Sequence, residues 1–173
     1  MRRTWLLIGA LAFFVIAPGS IAGWIPYAIT HWRVRSSLPG IPGRIAGALI
    51  VTSGVAVLLD SFRRFVFEGR GTPAPVAPPE GLVVSGLYRY VRNPMYVAIM
   101  SVVVGQALLF GSIALVAYAV LIWLMFHSFV VFYEEPTLRQ KFGGSYDLYR
   151  ANVPRWLPRV TAWQPASTFE RTQ

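Results

Sequence analysis

MYVAIMSVVVGQALLFGSIALVAYAVLIWLMFHSFVVF, residues 95–132, runs for 38 residues without an Asp, Glu, Lys or Arg. A membrane-spanning helix needs about 20 mostly apolar residues. The stretch is therefore long enough for two, and Gly111-Ser112 near its middle supplies a tight turn. It reads as a helical hairpin, with a third span at 95–110 and a fourth at 112–132. The third is short, since sixteen residues reach roughly 24 Å at the helical rise.

Upstream, residues 5–29 carry no charge over 25 residues. Pro18, Gly19 and Pro26 inside that run predict a kink or an early end. A further uncharged run at 45–59 follows Arg44 and is expected to continue as helix through Asp60 and Arg64, an i,i+4 pair at the interface. Arg2-Arg3 before the first run resembles the start of a signal peptide. However, 25 uncharged residues exceed the usual apolar core of one, and no clear A-x-A site follows, so an uncleaved span is expected. The predicted fold class is all-α: a single polytopic helical membrane domain, with about four transmembrane helices and a short cytoplasmic C-terminal helical tail. Its parts are two spans (1–68), a cytoplasmic loop (69–94), the hairpin (95–133), the tail proper (134–159) and a loose end (160–173).

Composition agrees. The chain has 173 residues, 55% apolar and only 13% charged, about half the charge of a soluble domain. Mean hydropathy is +0.51. With no Cys, disulfides, thiolate metal sites and a Cys nucleophile are excluded, and no metal site is expected. The net charge of +9 could suggest nucleic acid. Yet 15 of the 16 basic residues are Arg, and they flank the apolar runs rather than forming one block. A membrane protein with basic cytoplasmic margins fits better, and no nucleic-acid partner is expected. With four spans, 13 basic residues fall on one side and three on the other. The positive-inside rule then puts both termini in the cytoplasm, with the plasma (inner) membrane as the expected location.

Two charged clusters flank the hairpin: Arg89, Arg92 and Asn93 before it, Glu134 and Glu135 after it. The hairpin returns them to one membrane face, building a pocket at the cytoplasmic interface with a polar, water-facing end and an apolar, lipid-facing end. Such a pocket suits a charged soluble cosubstrate meeting a lipid-dissolved one. Blander duties compete: Arg89 reads as a positive-inside anchor, Tyr88, Tyr90 and Tyr96 as an aromatic belt, and the Glu pair as a solvated helix end. In the tail, Leu138, Phe142, Tyr146 and Tyr149 follow at helical spacing, and Gly143-Gly144 is expected to split two short helices with Ser145 capping the second. The connector GRGTPAPVAPPE, residues 69–80, is too rich in Pro and Gly for helix or strand. Gln106 and His127 sit at membrane depth, five and sixteen residues from Gly111, so they are not expected to meet each other. His127 reads as a satisfied interior residue.

GLYRYVRNPMY (86–96) followed by EEPTLRQKFGGSYDLYRANVPRWLPR (134–159) resembles the membrane-embedded methyltransferases of the isoprenylcysteine carboxyl methyltransferase and phospholipid methyltransferase superfamily. That pattern is roughly G-x-Y-x-x-x-R-H-P-x-Y, a hairpin, then E-E-x-x-L, F-G-x-x-Y-x-x-Y and V-P-R-x-x-P. It is matched here at Gly86, Tyr88, Arg92, Pro94, Tyr96, Glu134, Glu135, Leu138, Phe142, Gly143, Tyr146, Tyr149, Val153, Pro154, Arg155 and Pro158. Asn93 stands where many members have His; it can hydrogen-bond but cannot act as a base at neutral pH.

The resemblance implies S-adenosylmethionine as methyl donor, S-adenosylhomocysteine as product, and a lipid-like or small hydrophobic acceptor among membrane lipids. It implies donor-holding roles for Tyr88, Arg92, Asn93, Pro94, Tyr96, Glu134, Glu135 and Tyr146. The Glu pair would take the ribose or ammonium, Arg92 the donor's carboxylate, and the tyrosines the adenine or sulfonium. Arg92, Asn93 and Arg155 would serve the reaction itself, Arg92 or Arg155 by orienting a carboxylate acceptor. An NADPH-dependent membrane reductase of related fold and a non-catalytic lipid-binding protein are the alternatives. Neither the acceptor's chemistry nor the oligomeric state follows from the sequence.

Overall fold

The computed structural model describes residues 2–34, 40–68 and 81–164, with side chains of the first helix described from residue 8. The Pro-rich connector at 69–80 and the end at 165–173 lie outside the described residues, as do Arg35, Arg70 and Arg171 of the basic count.

Every element is helical among the described residues. Helix α1 (Arg2–Gly19) passes through a π-helical turn, Ser20–Trp24, into α2 (Ile25–Thr30). The kink predicted at Pro18, Gly19 and Pro26 takes this form, and the helix does not end early. It stops where His31 and Trp32 take positive φ of 48° and 52°. The Thr30 hydroxyl covers that end, donating to the Pro26 carbonyl at 2.8 Å and accepting from the Trp32 amide at 3.1 Å.

Helix α3 (Gly40–Glu68) continues past Asp60 and Arg64, whose predicted pair forms at 2.9 Å. Helix α4 (Pro94–Phe110) begins with proline in its first turn, where a missing N–H costs nothing. Gly111 at φ 61° and Ser112, which accepts from the Leu115 amide, make the predicted turn into α5 (Ile113–Phe129). A second π-helical turn, Val130–Glu134, leads without a break into α6 (Glu135–Asn152). The tail is thus a continuation of the fourth span. The split predicted at Gly143-Gly144 is present: Gly143, at φ 51° and ψ −125°, is non-helical and divides α6 into two helices across a kink.

Among the described residues, three helical stretches are long and apolar enough to cross a membrane: Ile8–Thr30, Gly40–Glu68 and Ile113–Asn152. The third predicted span, α4, has 17 residues, about 25 Å against a hydrocarbon core of about 30 Å. It is the inner helix of the group, burying Ala98, Ile99, Val102, Val103, Gly105, Gln106 and Ala107. Helix α3 lies against it backbone to backbone. A Cβ on Gly47 would come within 2.7 Å of the Gly105 carbonyl oxygen, and one on Gly54 within 3.1 Å of that of Ala98. Small residues of this kind let membrane helices approach closely, and van der Waals contact then replaces the missing hydrophobic drive. The outward faces keep Leu49, Val120, Leu121 and Ile113 exposed, as lipid-facing positions should be.

After α6 the chain crosses back over residues 89–93. The Arg92 amide donates to Pro154, the Arg159 amide to Tyr90 and the Trp163 amide to Arg89, each at 2.9 Å. Residues 160–164, read from sequence as the start of a loose end, are instead tied down. Trp163 is buried against Tyr149, and its carbonyl accepts from Arg89 Nε at 2.6 Å. Arg89, read as an anchor, is therefore also a clasp for the tail.

Candidate functional site

A cavity of about 420 Å³ opens between α1, α3, α4 and the α5–α6 junction. Its size falls in the range of small-molecule sites. Its apolar lining includes Phe13, Pro18 and Ile21 from α1, Leu58 and Phe62 from α3, and Phe126 from α5. Its polar lining is Tyr88, Arg92, Asn93, Tyr133, Glu134 and Thr137.

The polar lining is assembled by the hairpin, as the sequence predicts. The Tyr96 hydroxyl donates to Glu134 Oε1 at 2.5 Å. Arg92 Nη1 donates to Glu135 Oε1 at 2.9 Å and to the Tyr146 hydroxyl at 3.3 Å. Arg155 grips the same carboxylate through Nε at 2.6 Å and Nη2 at 2.9 Å. Its hydrogen bond with Glu135 holds the Arg155 guanidinium above its ordinary pKa. The arrangement is charge-assisted on both sides. Arg92 is almost covered, its side chain 9% exposed, and its Nε is buried without a protein partner.

The first arm of the site is braced from below. Gly86, at φ 50°, lies against the Arg64 guanidinium, where any side chain would collide. The buried Tyr88 donates to the Ser61 carbonyl at 3.4 Å and receives the Tyr149 hydroxyl on its own carbonyl at 2.7 Å. Burial pushes the Tyr88 phenol well above its ordinary pKa, so it stays neutral. The Asn93 amide donates to the Arg155 carbonyl at 3.2 Å, tying the hairpin entrance to the tail.

Of the residues singled out from sequence, Tyr88, Arg92, Asn93, Pro94, Tyr96 and Glu134 lie on the cavity wall. Glu135, Tyr146 and Arg155 do not; they form the ion-paired layer that holds Arg92 in place. The two glutamates, alike in sequence, thus diverge. Glu134 faces the cavity, while Glu135 is occupied by two guanidiniums. Gln106 and His127 have separate partners, as their spacing predicts. Gln106 donates to the Ala22 carbonyl at 2.7 Å, and His127 Nδ1 accepts from Trp156 Nε1 at 3.2 Å. Sequence reasoning missed the apolar wall from α1 and α3. Phe13, Pro18, Ile21, Leu58 and Phe62 carry no signal that separates them from lipid-facing neighbours.

Fold and site together define an all-α integral membrane protein with an amphipathic cavity closed by its own C-terminal tail. The phospholipid methyltransferase family matches residues 43–145, and the chain belongs to that family. Among curated relatives, protein-S-isoprenylcysteine O-methyltransferase A of Arabidopsis thaliana is 38% identical over 131 residues, 75% of this chain and 62% of that protein. Protein-S-isoprenylcysteine O-methyltransferase B of the same plant is 38% identical over 80 residues, 46% of this chain and 40% of that protein. The protein-S-isoprenylcysteine O-methyltransferase of Schizosaccharomyces pombe is 34% identical over 80 residues, 46% of this chain and 34% of that protein. The chain thus spans between about a third and three fifths of the length of these relatives. No solved structure matches it.

Proposed function

We propose that the protein transfers a methyl group from S-adenosylmethionine to a lipid-like acceptor by in-line displacement at the cytoplasmic face of the membrane. The observation that carries this reading is a cavity whose lining joins Arg92, Asn93 and Glu134 to apolar side chains of α1, α3 and α5. The residues fit the donor. The unpartnered, buried Arg92 Nε offers a donor to its carboxylate, and Glu134 offers an acceptor to its ammonium or ribose hydroxyls. When bound, S-adenosylmethionine supplies an electrophilic methyl on a sulfonium centre.

The chain's own contribution is positioning and exclusion of water. Glu135 holds Arg92 against the cavity, Arg155 holds Glu135, and the strap at residues 153–163 covers residues 89–93. The apolar lining takes the acceptor's chain. By likeness to the named relatives, the leading acceptor is an isoprenylcysteine carboxylate, with a phospholipid amine second. Arg92 is the one basic residue lining the cavity among the described residues. That leaves no basic cluster for the 2′-phosphate of NADPH, and the reductase reading is not proposed. Both termini are placed in the cytoplasm and the protein in the plasma (inner) membrane. Because the natural chain has no Cys, single cysteines added at the loops would test that orientation cleanly.

The test is calorimetric titration of S-adenosylhomocysteine, with NADPH as comparison, into detergent-purified protein. Donor-dependent methylation of free S-isoprenylcysteine and phosphatidylethanolamine follows. Saturable binding of S-adenosylhomocysteine alone is expected. Binding of NADPH instead, or of neither, would overturn the reading.

A further inference from the structure

The π-helical turn in α1 and Pro26 remove the usual i+4 backbone donors from two carbonyls inside the membrane. In a regular helix the Ile21 carbonyl would accept from the amide of residue 25 and the Ala22 carbonyl from that of residue 26. Here the Ile25 amide reaches back to Ser20 instead, and residue 26 is proline with no amide hydrogen. A bare carbonyl in hydrocarbon is costly. Both are served from other helices. The Tyr118 hydroxyl on α5 donates to Ile21 at 3.0 Å, and Gln106 Nε2 on α4 donates to Ala22 at 2.7 Å. Gln106 is only 7% exposed.

Neither side chain reaches the cavity, but the segment they hold does. Pro18 and Ile21 form part of its apolar wall. Ile21 and Ala22 pack both on the Ile99–Phe126 cluster beside the cavity and on the Val103–Ile122 cluster behind it. The apolar lining of the cavity is therefore positioned by two polar bonds across three helices.

We propose that Gln106 and Tyr118 are positioning residues for the acceptor's hydrocarbon chain, clamping the π-turn of α1 so that Pro18 and Ile21 present a fixed wall to it. The inference rests on the methyl-transfer reading for the identity of the occupant. The polar, donor-holding lining is held by other elements, so the clamp acts on the acceptor and not on the donor.

The experiment uses the full chain in nanodiscs with Gln106→Leu, Tyr118→Phe and the double variant Pro26→Ala/Gln106→Leu. Two readouts are taken: amide hydrogen exchange of residues 20–30, and steady-state kinetics with free S-isoprenylcysteine as acceptor. Gln106→Leu should speed exchange and raise the acceptor KM roughly three- to tenfold, the worth of one hydrogen bond between membrane helices. Its kcat and S-adenosylhomocysteine affinity should stay within about twofold, the pattern of lost acceptor binding alone. Tyr118→Phe should shift both readouts in the same direction and by less; losing only a hydroxyl, it keeps the test alive should Gln106→Leu not fold.

Alanine at 26 restores a backbone donor for Ala22, so the double variant should regain wild-type exchange at residues 20–30. A merely structural role for Gln106 would not be rescued in this way. Unchanged exchange in both single variants, a donor affinity that falls with the acceptor's, or failure of the rescue would each overturn the inference. Absence of turnover by the wild-type chain would overturn the methyl-transfer reading, and the acceptor role with it. The exchange measurement separates the two failures, because it reports the clamp without any substrate.

Discussion

The chain makes the same local move twice. SIAGWIP at 20–26 and VVFYEEP at 130–136 each form a five-residue π-helical turn, then one residue, then proline. In both, the residue between turn and proline sends its amide back to the first carbonyl of the turn, Ile25 to Ser20 and Glu135 to Val130. The cause is shared: a proline cannot serve the carbonyl four residues before it, so the helix loosens by one residue ahead of the ring.

The surroundings differ. The first turn faces α4 and α5 through the half-buried Ile21 and Ala22, whose carbonyls take the Tyr118 hydroxyl and the Gln106 amide. The second lies at the end of a span, with Phe132 78% exposed. One extra residue turns the following helix by about 100°. In the second turn that rotation puts Glu134 toward the cavity and Glu135 toward Arg92 and Arg155. One sequence device shapes a lipid wall in one place and sets a polar site in the other.

Five substitutions would break or sharpen this comparison. Glu135→Gln should have the largest effect, since it leaves Arg92 and Arg155 facing a neutral amide. Breaking a buried ion pair costs about 3–5 kcal/mol, so S-adenosylhomocysteine affinity should fall by roughly a hundredfold or more, with a lower melting temperature. An affinity within about twofold of wild type would show that this layer does not support the site.

Tyr96→Phe removes the bond to Glu134 alone. A hydrogen bond to a charged group is worth about 1.5 kcal/mol or more, so affinity should drop roughly tenfold with little change in melting temperature.

Pro136→Ala tests the turn itself. With a donor restored at 136 the helix can close, rotating Glu134 away and weakening S-adenosylhomocysteine binding by about fivefold. Pro26→Ala, its counterpart, should change donor affinity by less than about twofold, because Gln106 already serves the carbonyl concerned. Equal effects of the two proline substitutions would erase the distinction between the turns.

Asn93→His should also be mild. An imidazole N–H can take over the bond to the Arg155 carbonyl, so methylation rates should stay within about threefold. A folded but inactive variant would mean that Asn93 does more than tie the hairpin entrance to the tail.

Much of the fold was legible in the sequence because its signals are local. Uninterrupted apolar runs, Gly111-Ser112, and the pair Asp60 and Arg64 each report on their own neighbourhood. The site was legible for a related reason. A turn between two helices forces their far ends together, so Arg92 and the Glu pair had to meet. The least legible features depend on what lies across a gap. Nothing in α1 marks Pro18 and Ile21 as cavity wall rather than lipid face, since both surroundings are apolar. Nothing in the terminal residues announces that Trp163 would dock on Tyr149. Gln106 was visible as an anomaly at membrane depth, but its partner is the backbone of a helix more than 80 residues away.

The sequence by itself determined an all-helical membrane chain, the hairpin, and the set of charged residues that converge at one of its ends. Hydrocarbon tolerates little besides helices, and the charges could lie only where the apolar runs stop. Only the tertiary structure decided which glutamate faces the cavity and which is locked between arginines, which helices supply the apolar lining, and what satisfies the carbonyls that the π-turn and Pro26 leave without a backbone donor. These depend on helix rotation and on contacts between distant segments. A single residue gained in a π-turn changes both while leaving the hydrophobic pattern untouched.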